Sequence, residues 1–553
     1  MISKKSHNES ILNYLIRKGR RLPSSPDAGY FILYAFLYKY LSDKLKNHLL
    51  YSFGGDGDDL KFFYLSDTSD IKEIALNDLG YFFENHEAYL DNVVKGRFID
   101  EMIPLESLMH LKDSIVFSPN NPSEEYFNTI IRILEEQNFD SDHNSEENQL
   151  ISNFVISIAD LDLNEEKFSF KRVYDSVASL RQIRLTPTPE YIPQILERIT
   201  VSSKYDAENI YDPFLRDASI LFNISKDYGL SQLYAKEENK LYYFYSLIKA
   251  FIYEFDFENV FLAHESAIES MAFDDELFDI IVSKIPNDFK YVSRSYKNQN
   301  LEAPNLNKVD IKEQLISKYD LSKLGEDEEL LKALSIVEKK VEAVEKSNIL
   351  DFDEEFATLV DSEFLFVINM VNSLKENGIM AISVSQNFLF KNSLTLLRKF
   401  LTYKNNYIDT IISLPEGLSR SIRPEVIIVF KKDRTFDDIL FIDISKDFNV
   451  IPSKNRIPGG FRRSYVLSDK TLDKIIDVFK NRKTIDKFSK VVSLRELENN
   501  EYNLTVSRYV DTFEGEFIRL KDLKPRKKEI DSKMDELSKK IDLMMDELEN
   551  NNP

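Results

Sequence analysis

From residue 10 to about 135, apolar positions recur at helical spacing in long aromatic-rich stripes such as Ile32-Leu33-Tyr34-Ala35-Phe36-Leu37-Tyr38-Lys39-Tyr40-Leu41-Ser42-Asp43. That is the pattern of buried helices. Between Phe139 and Gln149 the chain becomes polar and acidic, which reads as an exposed loop or linker. Strand-like apolar runs then alternate with helical patterns at Asn209 to Tyr211, Lys240 to Phe251, Val260 to Ala263, Phe278 to Ser283, Phe364 to Leu374, Ile379 to Val384, Ile408 to Leu414 and Val426 to Phe430. Alternation of this kind predicts a mostly parallel sheet with helices on both faces. Near the C-terminus Ile530, Met534, Leu537, Ile541, Met544 and Leu548 recur at alternating spacings of four and three between charged residues. This is a short coiled-coil seam, fit either for a partner helix or for packing on its own domain.

Composition narrows the chemistry. The 553 residues, 43% hydrophobic and 12% aromatic, suffice for several domains with sizeable cores. There is no cysteine, which excludes disulfides, thiolate-held clusters and thiol nucleophiles. The six histidines are scattered without a His-Glu-x-x-His spacing, so no bound metal is expected. The N-terminus leads into no apolar run, and no stretch approaches the roughly 20 apolar residues of a membrane span, which predicts a cytoplasmic protein with no membrane partner. A formal charge of −22 argues against indiscriminate polyanion binding. Local basic clusters at Arg398-Lys399, Arg420 to Arg423, Arg462-Arg463 and Arg519 to Lys528 remain candidates for phosphate contacts. Residues 290 to 350 are rich in Lys, Glu and Asn, and their helical run from Asp327 to Lys346 reads as a solvated helix or a DNA-contacting one.

In a doubly wound sheet the ligand crevice lies beyond the carboxyl ends of the strands. Two turns therefore carry the functional question: Asp212-Pro213-Phe214-Leu215-Arg216-Asp217-Ala218-Ser219, and Ser283-Lys284-Ile285-Pro286-Asn287. The first is similar to the Asp-Pro-x-x-Gly-Ser-Gly cradle of adenine-specific DNA methyltransferases, and the second to their Asn-Pro-Pro-Phe or Tyr loop. Other stretches resemble, within that family, the modification subunits of type I restriction-modification systems. Ile32 to Asp43 is similar to a helix of their N-terminal domain, with Lys39, Leu41, Ser42 and Asp43 in register. Ser362 to Gly378 resembles their helix ending Leu-Lys-x-x-Gly, and Tyr407 to Pro415 their Asp-x-Val-Ile-x-Leu-Pro. Asn500-Glu501-Tyr502-Asn503-Leu504-Thr505-Val506-Ser507-Arg508-Tyr509-Val510-Asp511 is the most specific match. The resemblance implies an α/β, Rossmann-like methyltransferase domain dependent on S-adenosylmethionine over residues 151–515, with the charged insertion at about 290–350. An N-terminal helical domain over 1–150 and a C-terminal coiled-coil, partner-binding helix over 516–553 complete the expected chain.

The same resemblance implies a site, and the residues there are altered. In the family, glycines at the positions of Arg216 and Ala218 let the backbone approach the methionine part of the cofactor. Arg216 brings a long side chain to that point, and Asp217 a negative charge near the expected cofactor carboxylate. Lys284 replaces the Asn whose oxygen holds the target amine, and an ammonium has donors but no acceptor. Of the catalytic motif positions Lys284, Ile285, Pro286 and Asn287, only Pro286 is retained; Asn287 stands where an aromatic platform belongs, with Phe289 two residues on. Thr188 and Pro189 match a Thr-Pro segment bordering the cofactor, with Glu190 in place of its Arg. Asp212, Pro213 and Ser219 keep the cradle's frame, Glu237 matches the acid that holds the ribose hydroxyls, and Glu265 takes the position of an Asp near the adenine ring. Read without the family, each acid is an ordinary strand-end residue in a solvated loop.

S-adenosyl-L-methionine is thus the implied cofactor, with weak or absent binding expected. The implied partners are DNA, a specificity subunit through the C-terminal helix, a restriction subunit and a second modification subunit. Two readings stand: a methylation subunit whose activity is reduced or lost, and a non-catalytic, DNA-associated scaffold that kept the fold. An unrelated Rossmann enzyme would need a replacement catalytic set, which the chain does not offer.

Overall fold

The computed structural model describes residues 26–54, 69–95, 110–137, 146–159, 170–178, 185–229, 231–267, 276–286, 362–414, 424–452, 463–512 and 520–550, with a few single positions beside them. Positions 139–145, Asn287, Phe289, the 290–350 insertion with its helical run, Arg420 to Arg423, Arg462 and Arg519 lie outside the described residues. The chain divides into two compact units, Met1–Val510 and Asp511–Pro553.

Among the described residues the main sheet of the first unit has nine strands: β1 Asn209–Asp212, β2 Gln232–Lys236, β3 Val260–Ala263, β4 Phe278–Lys284, β5 Leu374–Ser385, β6 Ile408–Ser413, β7 Glu425–Lys431, β8 Asp438–Asp443 and β9 Ser489–Ser493. They lie in the order β9-β8-β6-β7-β5-β4-β1-β2-β3. From β3 to β5 every neighbour is parallel, and β6 and β8 are parallel too. The antiparallel members are β7, between β5 and β6, and β9 at the edge.

Successive residues of a strand point to opposite faces, and here both faces are dry. Ile280, Val282, Ile379, Ala381, Ile427, Val429, Leu440 and Ile442 enter one core. Ile281, Met380, Ile382, Val426, Ile428, Phe430, Ile439 and Phe441 enter the other. The first core is continuous with the N-terminal helices, including Pro26–Phe53, and with the helices Tyr191–Ser203 and Lys240–Ile252. The second is closed by helix Ser362–Ser373 and by residues between Phe388 and Leu401 and between Leu497 and Val510.

Lys240–Ile252 and Ser362–Ser373 are helices, in keeping with the alternation of strands and helices and with the helix expected from Ser362, but other boundaries shift. Glu146 to Gln149 open the helix Glu146–Ala159 instead of ending a loop, because acidic residues suit the positive end of a helix. Leu374 to Gly378 belong to β5, not to the helix before it. Leu374 pairs with Phe278 and Ile379 with Ile280, so β5 carries extra residues in a bulge. A Cβ on Gly378 would sit 3.0 Å from the Asp279 carbonyl, which is why that close approach takes a glycine.

Buried cations tie distant segments. Lys39, in helix Pro26–Phe53, contacts Asp43 at 3.1 Å and Asp91 at 3.2 Å and donates to the Ala159 carbonyl at 2.7 Å, at the negative end of helix Glu146–Ala159. Ser42 accepts the Leu90 N–H at 3.1 Å, and Leu41 is buried. Burial raises the Asp43 carboxyl to about 6 against the pull of Lys39. Fully buried Arg398 donates to the carbonyls of Tyr502 (2.9 Å), Phe388 (3.1 Å) and Lys391 (2.8 Å) and to the Thr395 hydroxyl (3.1 Å). Burial lowers its pKa to about 10. Beside it Leu504 N–H bonds the Leu389 carbonyl at 2.9 Å, Tyr509 Oη bonds the Asn503 carbonyl at 2.6 Å, and the Tyr509 ring packs 4.4 Å from Phe441. Within the Asn500 to Asp511 string, Tyr509 thus acts through its side chain, and Tyr502, Asn503 and Leu504 through their main-chain groups.

The second unit contains the helix Leu520–Asn550, in which Ile530, Met534, Leu537, Ile541 and Met544 are each more than half exposed. Lys533 and Lys540 make i,i+4 pairs with Glu529 and Glu536. Among the described residues no helix is long and apolar enough to cross a membrane.

Replacing Lys39 by Met leaves Asp43, Asp91 and the Ala159 carbonyl without their shared cation. Urea unfolding of Lys39→Met is expected to show a loss of about 3 kcal/mol; an unchanged midpoint would remove Lys39 as a keystone.

Candidate cofactor and catalytic site

β1 and β4 end side by side, and Asp212 joins their ends. Its side chain is fully buried; Oδ1 accepts from the Phe214 N–H at 3.1 Å and from Ser283 Oγ at 3.0 Å. Oδ2 finds no partner among the described residues. Burial drives this carboxyl from its ordinary 3.8 up to about 8, against the two hydrogen bonds that favour the charged form.

The loop that follows holds two residues with side chains in the conformation that favours glycine. Arg216 and Ala218 have φ of 52° and 56°, the left-handed region, which costs a side-chain-bearing residue roughly 1–2 kcal/mol. Neighbours hold both. The Arg216 N–H donates to Glu237 at 2.7 Å, its carbonyl accepts from Ser246 Oγ at 2.9 Å, and its guanidinium stacks 4.1 Å above the Tyr242 ring and donates to that hydroxyl at 3.0 Å. Ala218 is buried, and its N–H closes a tight turn onto the Leu215 carbonyl at 2.7 Å. Pro213 is buried in the same turn.

Asp217 faces inward. Its carboxylate accepts from the Thr188 N–H at 2.9 Å, the Thr188 hydroxyl at 2.6 Å and the Ser219 hydroxyl at 2.8 Å. This draws the Thr188-Pro189 segment onto the cradle, while Glu190 is exposed at the start of helix Tyr191–Ser203. Glu237, at the end of β2, accepts from the main-chain N–H of Arg216 through one oxygen and from that of Asn239 at 2.8 Å through the other. Its pKa is raised, chiefly by burial. Glu265 is partly exposed after β3, 3.9 Å from Lys236.

Lys284, at the end of β4, pairs its ammonium with the buried Glu425 of β7 at 2.5 Å. Ile285 is core rather than loop: it is 2% exposed, and its N–H bonds the Ser383 carbonyl of β5 at 2.9 Å. Pro286 is half-buried. Motif reading had found neither Glu425 nor Tyr242. Glu425 lies far along the chain on an antiparallel strand, and Tyr242 reads as one aromatic among many in a buried helix.

Three groups of expected residues therefore meet in space: Thr188 and Pro189 with Asp217 and Ser219, Arg216 with Glu237, and Asp212 with Ser283 beside Lys284. The donor and acceptor positions of the cradle are turned toward each other. At the end of β4 stands an ion pair, which offers no neutral acceptor to an amine.

Residues 340–516 match the N-6 DNA methylase family, a stretch that begins beyond both loops. The chain is similar to the Mycoplasma pneumoniae type I restriction enzyme MpnII methylase subunit, 25% identical over 371 residues, which are 65% of this chain and 59% of the relative. The Methanocaldococcus jannaschii MjaVII methylase subunit is 35% identical over 146 residues, 26% of this chain and 24% of that one. In fold the chain is like the type I restriction-modification system methyltransferase subunit from Streptococcus thermophilus, with a TM-score of 0.68 at 20% identity over 92% of this chain and 100% of the other. The chain thus spans 59% of the length of the Mycoplasma relative it matches. The α/β fold is that of the type I methyltransferase subunits.

The buried Asp212 gives the fold a pH signature. Its carboxyl binds its proton more tightly folded, at about 8, than unfolded, at 3.8, so its contribution is full at acid pH and is lost as pH rises through about 8. Asn at this position keeps the acceptor for Phe214 and Ser283 and carries no charge. The urea midpoint of the native chain is expected to fall between about pH 5 and pH 8, and that of Asp212→Asn to fall less. Parallel curves would exclude Asp212 as the source.

Proposed function

We infer that this chain, grouped by sequence and fold with the methylase subunits of type I restriction-modification systems, serves in such a complex as a modification subunit whose own methyl transfer is reduced or lost. The ion pair of Lys284 with Glu425 carries this reading. Transfer to an adenine amine needs acceptors that orient the nitrogen and stabilise the positive charge developing on it. An ammonium at that position opposes the charge, and its carboxylate partner is already engaged.

The second reading, a non-catalytic scaffold bound with DNA, is favoured by the cradle. Glu237, in the position of the ribose-holding acid, is engaged by two main-chain N–H groups, and Asp217 by Thr188 and Ser219. On either reading S-adenosylmethionine is the relevant cofactor, and the partners are DNA, a specificity subunit, a restriction subunit and a second modification subunit. The exposed seam from Ile530 to Met544 supports docking of the helix within 516–553 on helices of the specificity subunit.

Calorimetric titration of the purified chain with S-adenosylmethionine is expected to show weak binding or none. Micromolar or tighter binding would return full catalytic function to first place.

Removing residues 526–553 takes nothing from the sheet. The shortened chain is expected to keep its melting temperature and to lose association with a specificity-type subunit; unchanged co-purification would sink the assignment of the helix.

A further inference from the structure

The surroundings of Asp217 treat its side chain as a ligand. It is 5% exposed, and three donors converge on its two oxygens: the Thr188 N–H, the Thr188 hydroxyl and the Ser219 hydroxyl, at 2.9, 2.6 and 2.8 Å. Lys249, itself buried, goes to the main-chain carbonyl of Asp217 at 2.9 Å, lies 3.3 Å from Ser219 Oγ and contacts Asp175 at 3.2 Å. The carboxylate is therefore held by neutral donors in a shielded place, where such charge-assisted hydrogen bonds are strong and short.

Nothing in that donor set requires the carboxylate to be attached to residue 217. A backbone N–H and two hydroxyls recognise the oxygens alone. Beside them lies a cavity of about 390 Å³, lined by Thr188, Asp217 and Ser219 and walled by Phe222 and Tyr253, with Lys226 among its polar groups. Its size falls within the range of small-molecule sites, roughly 300–1,000 Å³.

We propose that Thr188 and Ser219 form a carboxylate-binding site whose occupant in this chain is Asp217 itself, and that loss of the Asp217 side chain opens it to an external small carboxylate. The proposal deepens the functional reading above, resting on it for the identity of the loop as a cofactor cradle. It also supplies a cause for weak cofactor binding. A group tethered next to its own site competes at an effective concentration of about millimolar or more, which a free carboxylate at micromolar level does not overcome.

The test is thermal unfolding of the full chain and of Asp217→Ala in sodium acetate and in sodium chloride of equal ionic strength. In chloride the variant is expected to melt several degrees below the native chain; acetate should recover much of that loss with saturation, leaving the native chain unmoved. Adding Thr188→Val to Asp217→Ala should abolish the acetate response. The proposal is overturned if acetate does no more than chloride for Asp217→Ala, if the native chain responds equally, or if the response survives Thr188→Val. Should Asp217→Ala not fold in chloride, its refolded yield with and without acetate decides the matter in the same way: recovery in acetate supports the site, and equal failure overturns it. The acetate response does not depend on whether the intact chain binds S-adenosylmethionine, so either idea can fail without the other.

Discussion

A sheet buried on both faces leaves polar groups nowhere to go but its ends, and much of this molecule follows from that. Alternate residues of β4, β5, β7 and β8 enter two separate cores, so each of these strands is apolar almost throughout. The N-terminal helices are needed to cover one face and the segment up to Val510 to cover the other. Asp212, Ser283, Lys284, Glu237 and Glu425 all stand at strand ends, where a charged or hydroxyl group can meet a partner before the apolar interior begins.

The same constraint explains what could be read from the chain beforehand. Runs such as Phe278 to Ser283 and Val426 to Phe430 were legible as strands because burial on both faces writes a continuous apolar word. β8 and β9 were not picked out, and β2 was seen only as a motif flanking Glu237; β8 is bounded by Asp438 and Asp443, β2 by Gln232 and Lys236, and β9, an edge strand, mixes Ser and Lys with its two valines. Direction was invisible as well, since nothing in Val426 to Phe430 says that β7 runs against its neighbours. At the site the altered positions were evident from spacing, yet their compensation was not. Glu425 meets Lys284, and Thr188 meets Asp217, only after the sheet has brought distant segments together.

That compensation is specific. Two residues with side chains are kept in a glycine conformation, at a cost of roughly 1–2 kcal/mol each. The Arg216 N–H bond to the Glu237 carboxylate, of the charge-assisted kind worth about 1.5–3 kcal/mol, offsets much of it. Stacking on Tyr242 then keeps the guanidinium from remaining a loose charge over the cradle. The loop is a settled arrangement in its own right, with the Arg216 N–H and the Asp217 carboxylate answered by nearby groups.

The guanidinium of Arg398 has a bearing on how the chain is made. Three of its partners lie at residues 388 to 395 and are available as soon as that stretch is synthesised, but the fourth is the carbonyl of Tyr502, more than a hundred residues later. On a ribosome that releases the N-terminal part first, the second core lacks Leu497, Leu504, Val506, Tyr509 and Val510, and the guanidinium lacks one acceptor, until that segment has emerged. The closure of the first unit therefore waits on the Asn500 to Val510 segment, which completes both the coordination of Arg398 and the second core.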